Sequence, residues 1–367
     1  MILSHITSGL AMDYFSLSNY VLLLIASITI ILIAYSDLFG KVSFKSSGSL
    51  LAILLLLILL IARDKGWDLE LYENIFNNVN EVGIGGWIEP GFQLLIIAVK
   101  SIGGNFLLFN IIYSLILCCL LYSIIKKDIR YASVAVLMFF LLYYFRGPYG
   151  QIRQALAMLI FIYSLRYIFD RKNLYISLNL IALMFHSVAI FGLFFIFLAT
   201  KFKVTKKNYV VVISIFVALY FSGVFSNLLV YLIGLDSNPI LMKVQFYLEN
   251  ANVKGGWLTP DFFKICVISF LILLIAPEFD KISPYKRVLI LSFLTGSCLY
   301  MLLSFDLRLA SRSSRLFLIS EFLIIAMLFE YAKSKGKLFL FMLFYGSIYL
   351  LWEFYIMSKA EVIYSWS

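Results

Sequence analysis

Charge is what this chain has least of. Asp, Glu, Lys and Arg together supply 14% of its 367 residues against 63% apolar, a balance from which no soluble globular surface can be built. Cysteine is scarce as well. Cys118, Cys119, Cys266 and Cys298 fall inside apolar runs with no metal or disulfide spacing, which leaves packing as their role. No Walker loop, His-Glu-x-x-His, Gly-x-Ser-x-Gly or Cys-x-x-Cys occurs, so ATP-driven transport, zinc proteolysis and thiol redox chemistry lose their support. No internal repeat or low-complexity tract stands out. The first apolar stretch lacks a basic n-region and an Ala-x-Ala site, and is read as a retained span.

What is present in their place is a succession of apolar stretches, with 35 Phe and 24 Tyr for helix packing and interfacial belts. The expected fold is all-α: one polytopic transmembrane helix bundle over residues 1–367, with about 12 spans plus interfacial helices. The spans are expected at 19–36, 47–62, 105–125, 131–145, 155–169, 174–185, 187–199, 209–225, 262–276, 288–304, 316–332 and 338–357. Alternating the loops between these spans separates the basic residues. Loops 37–46, 126–130, 166–173, 200–208, 277–287 and 333–337 hold 18 of the 30 Lys and Arg. By the positive-inside rule those loops face the cytoplasm of a bacterial plasma (inner) membrane, and both termini lie outside. The net charge of +10 is then a grip on anionic lipid rather than on nucleic acid. Only four of the inner 18 are arginine, against six of the outer 12.

Two regions depart from the simple pattern. Residues 91–103 carry an apolar face but would reverse the alternation if they crossed, so an interfacial or re-entrant helix stopped by Gly103-Gly104 is expected. Segments 174–185 and 187–199 are short and bracketed by basic clusters. They fit a hairpin with His186 at its outer turn, with a single long tilted helix as the rival. Two long outer loops, 63–90 and 226–261, are long enough to be functional, the second with a surface helix over 241–249.

The residues able to do chemistry gather in the outer segments. Arg146-Gly-Pro-Tyr-Gly-Gln151-Ile-Arg153-Gln154 sets guanidiniums and amides at a Gly/Pro turn before a helix start, a fit for a phosphorylated anion and also for simple headgroup anchoring. Arg308, Arg312 and Arg315, spaced four and three apart, fall on one face of a helix. Asp306 alone cannot neutralise three charges, and a diphosphate would. His186 sits in an apolar stretch as a general base or as a hydrogen-bonded structural group. Asp68 and Glu89 are the rival bases. Trp67, Tyr72, Trp87 and Trp257 are available to stack on sugar faces. No metal ligand set and no cofactor motif is apparent.

The chain resembles the EpsG-like, Wzy-type family of bacterial polysaccharide polymerases. The resemblance runs over roughly residues 60 to 320. It is carried by Arg63…Asp68…Tyr72, Glu89-Pro90-Gly91-Phe92, Arg146…Gln151-Ile152-Arg153-Gln154-Ala155, Phe185-His186-Ser187 and a late Arg-rich stretch. It implies a GT-C-type, metal-independent glycosyltransferase making O-antigen, capsular or exopolysaccharide at the periplasmic or outer face. Donor and acceptor would be oligosaccharide repeat units on undecaprenyl diphosphate, in a setting of membrane lipids, with a chain-length regulator as protein partner. The diphosphate roles would fall to Arg153 and Arg308/Arg312/Arg315, with His186 as base. A flippase or secondary transporter would bury ionisable groups at mid-membrane; here only Glu321, Glu330 and Glu353 lie within late spans. A membrane acyltransferase is the third reading, weakened because no buried His-Asp pair occurs in a recognisable motif.

Overall fold

The computed structural model describes residues 17–40, 45–63, 68–80, 88–224 and 259–364. Fifteen α-helices and no strand occur among them. Helix stands on each of the expected spans within the described residues. In chain order they are α1 (Leu17–Phe39), α2 (Lys45–Ile61), α3 (Leu69–Asn78), α4 (Pro90–Ser101), α5 (Phe106–Asp128), α6 (Ala132–Phe139), α7 (Ile152–Ser164), α8 (Lys172–Phe185), α9 (Ile190–Lys201), α10 (Lys206–Ser222), α11 (Pro260–Ile275), α12 (Pro284–Leu302), α13 (Leu307–Leu318), α14 (Glu321–Tyr331) and α15 (Lys335–Tyr364). Local chemistry sets their starts. Side chains of Asn105, Thr205, Thr259, Ser283 and Asp306 accept amides of the first turns they precede, and prolines open α4, α11 and α12. Among the described residues four helices, Asn19–Phe39, Phe106–Asp128, Ala132–Gly150 and Lys335–Phe354, are long and apolar enough to cross a membrane.

The helix ends sort by charge, as the alternation of loops requires. At one end Ser133 N–H donates to Asp37 (3.1 Å), Lys335 to the Tyr131 hydroxyl, and Arg166 to the carbonyls of Ser123 and Ile124, 3.0 Å from Asp128. Lys206 reaches Leu273 O, and Lys286 pairs with Glu330 at 2.7 Å. These contacts gather the six lysine-rich loops at a single end. The arginines of the remaining loops lie at the other.

Several boundaries move. The expected span 131–145 does not end in a loop: the helix continues as a π-helix over Phe140–Gly150, with Pro148 inside it. Wider turns leave slack for a residue without an N–H, and Gln151 N–H reaches back five residues to Arg146 O (3.1 Å). The late Arg-rich loop is also helical. Asp306 caps α13 through Leu309 N–H (2.8 Å), and α13 lies down against α12 with Ser292 Oγ on Phe317 O (3.0 Å). The span expected at 316–332 is therefore the lower half of a broken helix that begins at Leu307 and is interrupted between Leu318 and Glu321. Hydropathy misses its upper half because Ser311, Ser313, Ser314 and Arg315 are buried in the bundle rather than turned to water.

The 174–199 hairpin is present. Tyr175 of α8 donates to Gly192 O of α9, and His186 is the extended residue between them (φ −159°). At 14 and 12 residues, these helices reach only about 21 and 18 Å, short of a roughly 30 Å hydrocarbon core. Segment 91–103 is the 12-residue helix α4, stopped by Gly103 in the left-handed conformation (φ 73°).

The α12–α13 crossing allows no side chain at residue 296, where a Cβ would come 2.8 Å from Leu318 N and 3.0 Å from Phe317 Cβ. At Gly147 the nearest atom would be 3.6 Å away. Gly296→Ala should lower stability by about 1–3 kcal/mol while Gly147→Ala leaves it nearly unchanged. Thermal unfolding of the two detergent-solubilised variants checks this, and equal melting temperatures would contradict the close crossing.

Candidate active site

The widened end of α6, the start of α7 and the inserted α13 meet at the arginine-bearing end. Tyr143 donates to Leu318 O (2.7 Å), tying the π-helix to the break after α13. Gln154 Nε2 donates to Arg312 O (3.0 Å), and Arg315 donates to Gln151 Oε1 (2.6 Å). Gln151 and Gln154 thus dock α13 onto the start of α7. Arg63, which sequence reasoning left out of the site, closes the π-helix: it donates to Tyr149 O (2.9 Å), Pro148 O (3.3 Å) and Asn110 Oδ1 (2.8 Å).

Behind this junction lies a chain of buried charges. Arg146 donates to Glu353 Oε1 (3.0 Å) and Ser311 Oγ (3.1 Å) and lies 3.7 Å from Asp261. Asp261 accepts from Tyr349 (2.7 Å) and lies 3.7 Å from Lys264, whose ammonium is 3.0 Å from Glu321. Lys264 also sits over the rings of Tyr143 and Tyr349. Arg315 stands beside the chain without joining it. Its side-chain partners are Gln151 and Ser311, and no carboxylate lies within 4.0 Å of it among the described residues. A cavity of water-molecule size separates Arg315 from Asp261, Lys264 and Tyr349.

In front, nearer solvent, Arg153 pairs with Glu89 at 2.5 Å and packs over Tyr72 and Phe92, 5.8 and 6.0 Å from the ring centres. Gly91 lets α4 approach so closely that a Cβ would lie 2.8 Å from Met184 O, which brings Glu89 to the turn holding His186. Asp68 precedes α3 without its carboxylate capping an amide. Burial raises that carboxyl above its ordinary range, opposed by Arg312 and Arg153. Arg312 itself is exposed.

The structure divides the expected site residues. Asp68, Glu89, Arg153, His186, Arg312 and Arg315 come together. Arg146 is held by Glu353 and Asp261, so its charge is already engaged. Tyr72 is 3% exposed beneath Arg153 and offers no face to a sugar. Arg312 and Arg315 do not share a stripe of equal access, since one is exposed and the other 6% exposed. Trp67, Trp87, Trp257, the Arg308 side chain and the helix expected over 241–249 lie outside the described residues. Among the described residues no three metal-ligating side chains converge. Asp261, Lys264 and Tyr349 were missed. Asp261 and Lys264, charges spaced three apart at the start of an apolar span, were the available signal.

His186 is poorly suited to the base role. Its Nδ1 accepts Val188 N–H (3.3 Å), which assigns the neutral ring's proton to Nε2. In this turn outside both helices, burial lowers its pKa to about 4; Arg153, Arg312 and Arg315 act in the same sense, and Glu89 opposes them. A nitrogen so weakly basic donates better than it abstracts. Stability tied to the neutral ring is present above the unfolded value of about 6.5 and is lost as pH falls towards about 4. With His5 replaced, histidine-selective NMR of the full chain should show one imidazole titrating well below pH 6. A midpoint near 6.5 would contradict this burial.

The buried pair Lys264–Glu321, 4% and 0% exposed, gives a second test. Lys264→Met alone should destabilise by about 3–5 kcal/mol, and Lys264→Met/Glu321→Leu should recover much of that loss. Denaturation of the purified variants checks it; equal losses would mean the charges are not coupled.

A family model of EpsG matches residues 48–366. No curated protein and no solved structure matches the chain. The matched region takes in every site element above, from α2 through Arg315 to Glu353, and on that ground the chain belongs to the EpsG family, a Wzy-like family of polysaccharide polymerases.

Proposed function

We propose that this membrane protein is a GT-C-type glycosyltransferase that polymerises oligosaccharide repeat units carried on undecaprenyl diphosphate, at the outer face of a bacterial plasma membrane. One observation carries the reading: among the described residues Arg315 is a buried guanidinium hydrogen-bonded only to the neutral groups of Gln151 and Ser311, with the exposed Arg312 one turn away. A buried cation without a carboxylate is costly, and a diphosphate supplies the missing charge with bidentate geometry. The uncommitted Asp68 takes the proton of the acceptor hydroxyl, its raised pKa making it the better base. The acceptor oxygen bonds to the donor's anomeric carbon as the bond to the diphosphate oxygen breaks. Charge then develops on the leaving diphosphate, where Arg312 and Arg315 stabilise it without a divalent ion. Arg153 joins them when Glu89 releases it, and His186 donates through Nε2 to a substrate oxygen.

The second reading, a transporter of lipid-linked oligosaccharide, is favoured by the buried ion pairs of Arg146 and Lys264 within the bundle. One reconstitution separates the two. Purified protein in liposomes with lipid-linked repeat units should yield a ladder of polymer, and a chelator should leave it intact. Arg315→Ala should abolish the ladder and Arg315→Lys should restore little of it. Asp68→Asn should slow it by a factor of about 10² to 10⁴. Translocated but unpolymerised units would favour the transporter, and full activity of Arg315→Ala would remove the anion site.

A further inference from the structure

We propose that the groove between α11 and α15, at the lysine-rich end of the bundle, binds an anionic glycerophospholipid. The groove encloses about 790 Å³. Its walls are apolar: Phe270 and Leu274 from α11 face Leu338 and Phe341 from α15. Phe270 and Leu274 are 63% and 66% exposed, so the walls are open to a partner rather than closed on each other.

The mouth has a different chemistry. Lys333, Ser334 and Lys337 rim it, and both lysines are exposed. Neighbouring lysines are committed, Lys286 to Glu330 and Lys335 to the Tyr131 hydroxyl. Lys333 and Lys337 form no ion pair among the described residues. Two free ammoniums above a greasy slot match a phosphodiester carrying acyl chains, and basic pockets between helices on the cytoplasmic side are suited to such headgroups. A second copy of this chain is the poorer occupant, because a two-fold contact here would set lysine against lysine. An isoprenoid diphosphate engaged at Arg315 is poorer still, its charge lying at the opposite end of the bundle.

The site also has a structural consequence. Its two walls continue into the helices that carry Asp261 and Lys264 on one side and Glu353 on the other. A lipid seated between them braces the helices whose charges meet Arg146.

Native mass spectrometry of the full chain in detergent tests this, with phosphatidylglycerol and phosphatidylcholine of identical acyl chains. Phosphatidylglycerol should be retained in preference, and should raise the melting temperature of the wild-type protein. Lys333→Gln/Lys337→Gln should weaken its retention about 25-fold, at about a factor of five for each lysine near a phosphate. Lys172→Gln, an exposed lysine away from the groove, should leave retention unchanged. Leu274→Trp, which fills the slot, should weaken both lipids. Equal retention of the two lipids, an unaffected double-lysine variant, retention of polyprenyl phosphate alone, or a protein dimer in place of the lipid adduct would each overturn the assignment.

Discussion

A charge withdrawn from water costs several kcal/mol unless an opposite charge or a set of hydrogen bonds receives it. That constraint organises the arginine-bearing end of this bundle. α6 with its π-helical end, α11, α14 and α15 each bring an ionisable side chain into the interior, and each finds a partner on another helix: Arg146 with Glu353 and Asp261, Lys264 with Glu321. Such pairs add little net stability beyond what apolar residues of the same size would give. Their effect is to make any other register of these helices expensive, since a shifted helix would strand a charge.

Within that frame Arg315 is the exception, and its placement depends on how α13 enters. Asp306 starts the helix, Gly296 permits the close crossing with α12, and Tyr143 fastens its far end. Gln151 and Ser311 meet the guanidinium with neutral oxygens only. The nearest carboxylates, Asp261 and Glu353, pair with Arg146 and Lys264, so among the described residues Arg315 has neighbouring negative charge but no ion pair of its own. Glu89 covers Arg153 in the same cluster, so the two arginines differ: Arg153 has a carboxylate at 2.5 Å and Arg315 has none within 4.0 Å among the described residues.

The short helices explain why such a site can exist in a membrane protein. α4, α8 and α9 are too short to cross the hydrocarbon core, Glu89 precedes α4, and His186 lies at the turn between α8 and α9. Irregular backbone and polar groups are tolerated within a membrane protein where protein surrounds them. The π-turns of α6 belong to the same compromise. They let Pro148 remain inside a helix and aim Arg146 inward, while Arg63 satisfies the carbonyls left at the helix end.

The sequence by itself determined what depends on local pattern. Apolar density and period marked the membrane-length helices but not α3 or the upper part of α13, which fell in stretches read as loops; the lysine distribution sorted the helix ends, and Gly103-Gly104 and His186 marked where short helices stop. These properties are set by neighbouring residues and by solvent preference, which a linear reading carries. It also singled out residues that the fold brings near one another: Asp68, Glu89, Arg153, His186, Arg312 and Arg315. Only the tertiary structure decided which of these charges are spoken for. Arg146 finds Glu353 across 207 residues, Arg153 finds Glu89 across 64, and His186 is desolvated by helices distant in sequence. The inward turn of α13 escaped hydropathy for the same reason: its serines and arginines read as a water-facing loop until the partners that bury them are brought into contact. Whether a charge is free or neutralised is a property of what packs against it, and that is settled only when the chain has folded.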